Sequence, residues 1–433
     1  MSQNDFNIAN QGFPSFRADL NDALQALASN NAGAAEPSTT YANQWWYDTT
    51  TGLLKLRNEA NTNWIAPNFG EISNVNITGG TIDGAVIGGV APAAVTTSSL
   101  VVNGNNYPSA GALSNRNLII NGAMDVAQRG TSASPAPQGY LIDRFATYKG
   151  GGGNWDVAQS PDAPVGFQNS ALITITTPTT PSGTDFTLFQ TKFEGHDVSY
   201  LSQGTASAKT FTLSFWVKSS LAATFSGSVR DATSTVSYVF EYTINSVGTW
   251  EYKTVTIAGS TSGNFPLDNT TGLVLAFSQG QGTTYATATV GSWVAGNFHG
   301  STTETDLISN SGATWQITGV QLEVGDTATP FEHRSYGQEL ALCQRYFWTD
   351  HVYAQGYQSA GSDYTEMVQH PVTMRADPTR NKIGAYDIST NAGSLFMTSP
   401  PFGPGVNFTR FYASATAAGE IEFSHGFSMD AEL

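Results

Sequence analysis

Cutting a glycosidic bond takes two carboxyl groups about 5–10 Å apart, one on each side of the bond. Glu194, Asp197, Asp231, Glu241, Glu251, Glu304 and Asp306 are the candidates in this chain. They sit in strand-like stretches, where spacing along the chain does not say which side chains face each other. Holding a sugar without cutting it takes flat aromatic faces, which meet the C–H faces of a pyranose, with hydrogen-bonding groups at the ring edge. Trp155, Trp293, Phe298 and His299 lie in polar, loop-like stretches, which predicts exposure. Trp216 in TLSFWVKSS and Trp250 in GTWEYKTV read as strand residues, which predicts core packing. Trp348, Tyr353, Tyr357 and Tyr364 cluster in a Gly/Gln/Ser-rich segment and predict a contact surface near the C-terminus. Sequence alone leaves both chemistries open.

Other reactive patterns are missing. KGGGGNW, 149–155, precedes no helical pattern and lacks a Lys-Ser/Thr end, so it reads as a loop and not a phosphate cradle. No HExxH, GxSxG or CxxC occurs. His196, His299, His333, His351, His370 and His425 are scattered without ligand spacing.

Composition narrows the partners. Charged residues make up 12% and aromatics another 12%. Low charge with many Thr, Val, Tyr and Phe suits pleated, half-buried surfaces, so a mostly β fold is expected. The net charge of −16 argues against nucleic acid, which needs a basic stripe. It also disfavours a polybasic membrane anchor. No apolar run approaches the ~18 residues of a membrane span, so no membrane insertion is expected. Bulk attraction to an anionic polysaccharide is not expected either. With Cys343 the single cysteine, no intrachain disulfide can form, and folding in a reducing cytoplasm is the simplest reading. MSQNDFNIAN does not read as a secretory leader, so an extracellular role would need another exit route, such as lysis.

Four regions must position these residues. Residues 1–70 read as a small α+β module. PSFRADLNDALQALASNNAG predicts a helix with Ser15 as N-cap and an apolar stripe of Phe16, Leu20, Ala23, Leu24 and Leu27. QWWYDTTTGLLKLRN predicts a hairpin, with Trp64 and Ile65 as a third strand. Residues 71–114 carry ITGGTIDGAVIGG, where Ile77, Ile82 and Ile87 recur every fifth position with a glycine two places after each. Five is neither a helical nor a strand period. Three copies wound about one axis would turn each isoleucine inward, and glycine permits the tight turn between layers. Each buried isoleucine stabilises by roughly 1.5–3 kcal/mol. A trimeric β stalk, and hence a homotrimer, follows as the expectation. Residues 115–335 show many short strands divided by Gly, Pro and Asn turns, the pattern of a large β-sandwich. FEHRSYGQELALCQRYF, 331–347, interrupts with a short helix, and residues 336–433 predict a smaller β-domain.

Three stretches carry a resemblance. Residues 9–58, with ANQGFPSFRADLNDALQALASNN and YANQWWYDTTTGLLKLRN, resemble the N-terminal module of phage tail-fibre and related virion proteins. RNLIINGAMDVAQRGT, 116–131, and WQITGVQLEVGDTATPFEHRSYGQELALCQRYF, 315–347, resemble the two ends of a carbohydrate-binding-module-like jelly roll found in such fibres. HPVTMRADPTR, 370–380, is similar to the segment that often follows it. The resemblance implies a trimeric fibre attached to the virion tail or an adaptor through its N-terminal module, made in the host cytoplasm, with binding domains facing a host surface polysaccharide. It also implies a structural calcium between the first and last strands of the jelly roll, where Asp125 and Glu323 fall, with Asn121 as a third ligand. No other cofactor is expected. A tail-fibre adhesin is the leading expectation. A tail-spike polysaccharide depolymerase and a capsid-attached decoration fibre are the alternatives.

Overall fold

The chain divides into two compact units, Met1–Val95 and Thr96–Leu433. The computed structural model describes residues 3–8, 10–66, 101–102, 105–106, 114–400 and 405–433, with 101–102, 105–106 and 385–388 described through their backbone. Ile77, Ile82 and Ile87 lie outside the described residues.

In the first unit the helix runs Phe13–Ala28 with Gly12 as N-cap, so it starts before the predicted Ser15. A proline in the first turn explains the earlier start, since its fixed φ suits that turn and its missing N–H leaves nothing unbonded there. The buried face matches the predicted stripe only at Ala23. Ala23 and Ala26 are buried, whereas Phe16, Leu24 and Leu27 are exposed, because the helix packs through its small side chains. The hairpin forms as predicted, Trp45–Asp48 against Leu53–Arg57, with Trp64–Ile65 as the third strand. The Asp48 carboxylate accepts from Thr50 N at 2.9 Å and Thr51 N at 3.3 Å, and Gly52 takes φ +71° to close the turn. Trp46 is buried edge-on against Trp64, centroids 5.1 Å apart.

The second unit opens with a two-sheet jelly roll. One sheet has six strands in the order Glu251–Ile257, Phe211–Ser219, Thr314–Val324, Ser170–Thr177, Asn154–Ser160 and Ser132–Ala133. The other has seven: Trp293–Ala295, Val236–Thr243, Thr224–Asp231, Thr271–Gln281, Phe186–Glu194, Ala146–Gly150 and Gly139–Tyr140. All neighbours within both sheets are antiparallel. Strand alternation fills the space between them. Phe211, Leu213, Phe215 and Val217 face Phe225, Phe240, Leu275 and Phe277 in one core. In Thr314–Val324 the inward set changes phase, from Trp315 and Ile317 to Val320 and Leu322. A bulge explains the change, with the register shifting between Ser214 and Trp216 and Gly319 at φ +61° taking up the extra residue.

The second short helix is Tyr336–Gln344, opened by a capping box in which Ser335 and Gln338 cap each other. A smaller β-sandwich follows. Its sheets are Phe347–Gln358, Gly419–Asp430 and Thr379–Thr390, and Asp363–Gln369, Phe408–Ala415 and Ala392–Thr398. Phe411, Phe423, Phe427 and Trp348 form its core.

Ion pairs join the two sandwiches. Arg129 reaches Asp430 at 3.1 Å and Glu432 at 3.3 Å, and Arg144 pairs with Glu432. Buried Glu194 accepts both arms of Arg345, at 2.7 and 2.8 Å, and the Tyr346 hydroxyl at 2.6 Å.

Candidate functional site

The outer face of the seven-stranded sheet carries a cleft, and the strand register explains it. Lys192, Val274 and Arg230 stand in one row across three neighbouring strands, and Gln190, Ala276 and Ser228 stand in the next. Ala276 and Ser228 are small, so the row sinks between longer neighbours. The cleft has a volume of about 320 Å³.

Its aromatic wall comes from an adjoining loop. Ala286–Thr287 pairs in parallel with Gly300–Ser301, Ala286 opposite Gly300. That register sets the preceding residues side by side. His299 N donates to Tyr285 O at 2.8 Å, and the two rings stack with centroids 4.4 Å apart and planes 8° apart. Phe186 meets both rings edge-on, at 5.5 and 5.1 Å. Tyr148, Phe186 and Tyr285 are half-buried, so part of each ring stays open to a ligand.

The floor is polar and positive. Arg230 is 6% exposed. It donates to the side-chain oxygens of Asn297 at 2.9 Å and Gln190 at 3.2 Å. Its Nε has no partner among the described residues. Burial pushes Arg230 down to about 10, still charged at neutral pH. Burial, then the Arg230 charge, pushes His299 down to about 2, so this ring stays neutral. Lys192 is lowered by burial and by the Arg230 charge, and its Nζ donates to Leu433 O at 2.9 Å. Rings beside fixed donors are what a sugar needs: faces for its C–H surfaces and donors for its hydroxyls.

Sequence reasoning found one residue of this cleft, His299, and misjudged its role. His299 is 3% exposed, and its ring backs Tyr285. Trp155 is not in a loop. It is 3% exposed within Asn154–Ser160, opposite Ile175, and points into the core. The glycines at 150–153 end just before it, and pairing begins at Asn154. Trp348 is 3% exposed and packs edge-on against Phe427 at 5.2 Å. Trp293 is half-buried, donates from Nε1 to Ala258 O at 2.6 Å, and leans on Tyr238. Phe298 is half-buried, and its backbone N donates to Ser237 Oγ at 2.9 Å. Neither Trp293 nor Phe298 lines the cleft.

Trp216 and Trp250 were expected in the core, but they lie half-buried on the outer side. Trp216 faces away from the inward set and packs against Tyr252 at 5.3 Å. Trp250 Nε1 donates to Asp162 at 3.3 Å under the Lys218 ammonium.

Tyr353 and Tyr357 do form an exposed stripe, 54% and 80% exposed, on the outer face of Phe347–Gln358. Tyr353 Oη donates to Glu422 at 2.9 Å, with the Gln355 side-chain oxygen 3.1 Å away. Tyr364 is half-buried beneath Gly356, where a Cβ would come within 2.3 Å of its ring.

Most of these carboxylates have protein partners. Asp231 accepts from Thr235 N, Val236 N and Asn264 N, which fixes its loop. Glu251 accepts from Asn245 N, Ser246 N and Lys253. Glu241 takes the Thr303 hydroxyl, and Glu304 takes those of Ser226 and Ser278. Burial raises Asp197 and Asp306. None of the seven lines the cleft.

The three residues expected to hold calcium are likewise engaged. The Asn121 amide donates to Val126 O and Asp143 O, both at 2.8 Å, and its oxygen accepts from Val126 N. Glu323 accepts from Gln321, Thr329 N and Thr329 Oγ1, with Arg116 at 3.6 Å. Asp125 accepts from Asn169 at 2.9 Å. Among the described residues, no group of three or more His, Cys, Asp or Glu is arranged to hold a metal.

Arg230, Gln190, Tyr285 and Asn297 were missed. SGSVRDA carried a faint signal, a lone arginine on the same strand face as two serines.

No protein-family model matches the chain, and no curated protein matches it. Several solved structures are similar to it at the level of fold. One is the enzymatically active domain of tailspike protein 4 of bacteriophage CBA120, at 14% identity and TM-score 0.28, covering 48% of this chain. The match spans only 21% of that tailspike chain. Another is TmCBM61 in complex with β-1,4-galactotriose, at 10% identity and TM-score 0.25, covering 48% of this chain and 99% of that one. A third is a family 11 carbohydrate-binding module of Clostridium thermocellum with a mixed-linked tetrasaccharide, at 13% identity and TM-score 0.24, covering 46% and 97%.

Proposed function

We propose that this chain is a glycan-binding adhesin of a phage tail fibre, working as a homotrimer by attachment and not by bond cleavage. The observation that carries the reading is the cleft on the seven-stranded sheet, where a stacked Tyr285–His299 pair stands beside fixed polar groups. The motif resemblances at residues 9–58, 116–131 and 315–347 supply the tail-fibre context, with the N-terminal module as the anchor to the virion tail or its adaptor. A single shallow site of this kind binds weakly. Three copies per fibre raise the effective affinity, by about 10²–10⁴ where the sites can engage together.

The test is a glycan array probed with the full chain and with Tyr285→Ala, alongside a reducing-end assay on every glycan that binds. Tyr285→Ala should lower affinity about five- to tenfold, the loss of one stacking face. Binding that ignores Tyr285 would move the site elsewhere, with the Tyr353–Tyr357 stripe the next surface to test. Release of reducing ends would replace adhesion with depolymerisation.

A further inference from the structure

We propose that the cleft selects a sugar bearing a carboxylate, of uronate or sialate type, with Arg230 as the group that grips the acid. The inference rests on the glycan-binding reading and names the substrate class of the same site.

Charge comes first. Acidic residues outnumber basic ones 34 to 18 in this chain. Yet the cleft is lined by two cations, Lys192 and Arg230, and by no Asp or Glu. A buried guanidinium normally has a carboxylate partner, because an uncompensated charge out of water is costly. Arg144 in the same jelly roll follows that rule, paired with Glu432. Arg230 departs from it. Its hydrogen-bond partners are two neutral amide oxygens, which aim it, and Asp231 acts on it only through space. Next along the strand, Asp231 has turned its oxygens to Thr233, Thr235 and the backbone of its own loop. Among the described residues no carboxylate forms an ion pair with Arg230.

Donor count comes second. Guanidinium has five N–H groups. Asn297 and Gln190 take two, and Nε is among those without a partner. A planar fork with spare donors matches the two oxygens of a carboxylate, which is why arginine recurs at such sites.

Position comes third. The Arg230 guanidinium bonds Asn297 and Gln190, which line the same cleft as Tyr285 and His299, so its charge faces the space beside the aromatic wall. A pyranose against Tyr285 would place an acid substituent within reach of that charge.

Isothermal titration on the full chain tests this with three probes: oligogalacturonate, oligosialate, and oligogalacturonate whose carboxyls are reduced to alcohols. At least one acidic probe should bind, and Arg230→Gln should weaken it about 10- to 100-fold, the usual range for losing a charge-assisted hydrogen bond. Carboxyl reduction should cost wild type a similar factor and cost Arg230→Gln almost nothing. Arg230→Lys should recover part of the loss, and an unchanged thermal melt for Arg230→Gln would assign its loss to the site. Acidic probes bound equally by wild type and Arg230→Gln would overturn the proposal. So would a preference for the reduced probe that Tyr285→Ala abolishes, although glycan binding itself would stand. Silence from all three probes, with neutral glycans binding on the array, would also overturn the acid specificity alone. Silence on the whole array would overturn the glycan reading with it.

Discussion

Glu304 gives the sharpest test of the packing over the outer face. Its carboxyl group is enclosed where the loop after Gln281 returns over the seven-stranded sheet, accepting from Ser278 Oγ at 2.7 Å and from Ser226 Oγ. Burial pushes it from the ordinary 4.5 to about 8, against the opposing pull of the two serine hydroxyls. The folded protein therefore holds this proton more tightly than the unfolded chain. Its stabilisation is fully present below about pH 4.5 and is lost as pH rises to about 8. Each unit of difference is about 1.4 kcal/mol, so the total is at most about 5 kcal/mol. Glu304→Gln keeps the size and the neutral charge but cannot ionise. Urea unfolding of both proteins at about pH 5, 6.5 and 8.5 reads the effect. The two should nearly coincide at the lowest pH, and the variant should gain steadily on the wild type as pH rises. All other titrating groups are common to both, so the difference isolates this site. Parallel profiles would refute a buried, neutral Glu304.

Three more perturbations follow from particular contacts. Gly319→Ala puts a Cβ 2.7 Å from the Phe167 ring at φ +61°, and should cost about 1–3 kcal/mol, read from the urea midpoint. Glu194→Gln leaves the partly exposed Arg345 without its carboxylate and should destabilise by about 1–3 kcal/mol at neutral pH. Hydrogen bonds from Arg345 and Tyr346 outweigh burial and hold Glu194 below its ordinary value, so this contribution is present above about pH 4.5 and fades under acid, where variant and wild type should converge. Replacing Ile77, Ile82 and Ile87 together with Asn should drop the mass by light scattering from three chains to one; an unchanged mass would remove the stalk as the trimer clamp.

Much of the architecture could be read from alternation. FTLSFWVKS and WQITGVQLEV place large apolar residues at every second position, and the break at Thr318–Gly319 already marks the bulge. The hairpin at 45–57 was legible for a similar reason, a turn set between two short apolar runs. The site was legible only in part. Trp155 and Trp348 misled because glycine- and glutamine-rich neighbours suggest loops, whereas cross-strand partners such as Ile175 and Met429 decide burial. The cleft itself comes from a lateral row, Lys192–Val274–Arg230, whose members are distant in sequence and adjacent only through register. No local pattern encodes such a row. The helix at 13–28 formed as expected, but its stripe was legible only at Ala23, since it was read by hydrophobicity while packing selected the smallest side chains.

The junction between the two sandwiches has a mechanical meaning. Arg129, Arg144 and Arg345 clamp it from several directions, through Asp430, Glu432 and Glu194. For this joint to swivel, each of these ion pairs would have to break. In the adhesin proposed above, a surface gripped by the jelly roll would then meet the smaller sandwich at one angle and one reach. Such an adhesin would work as a calliper: it would respond to the spacing of groups on its target surface as well as to their identity, and a surface with the right chemistry at the wrong pitch would slip from it.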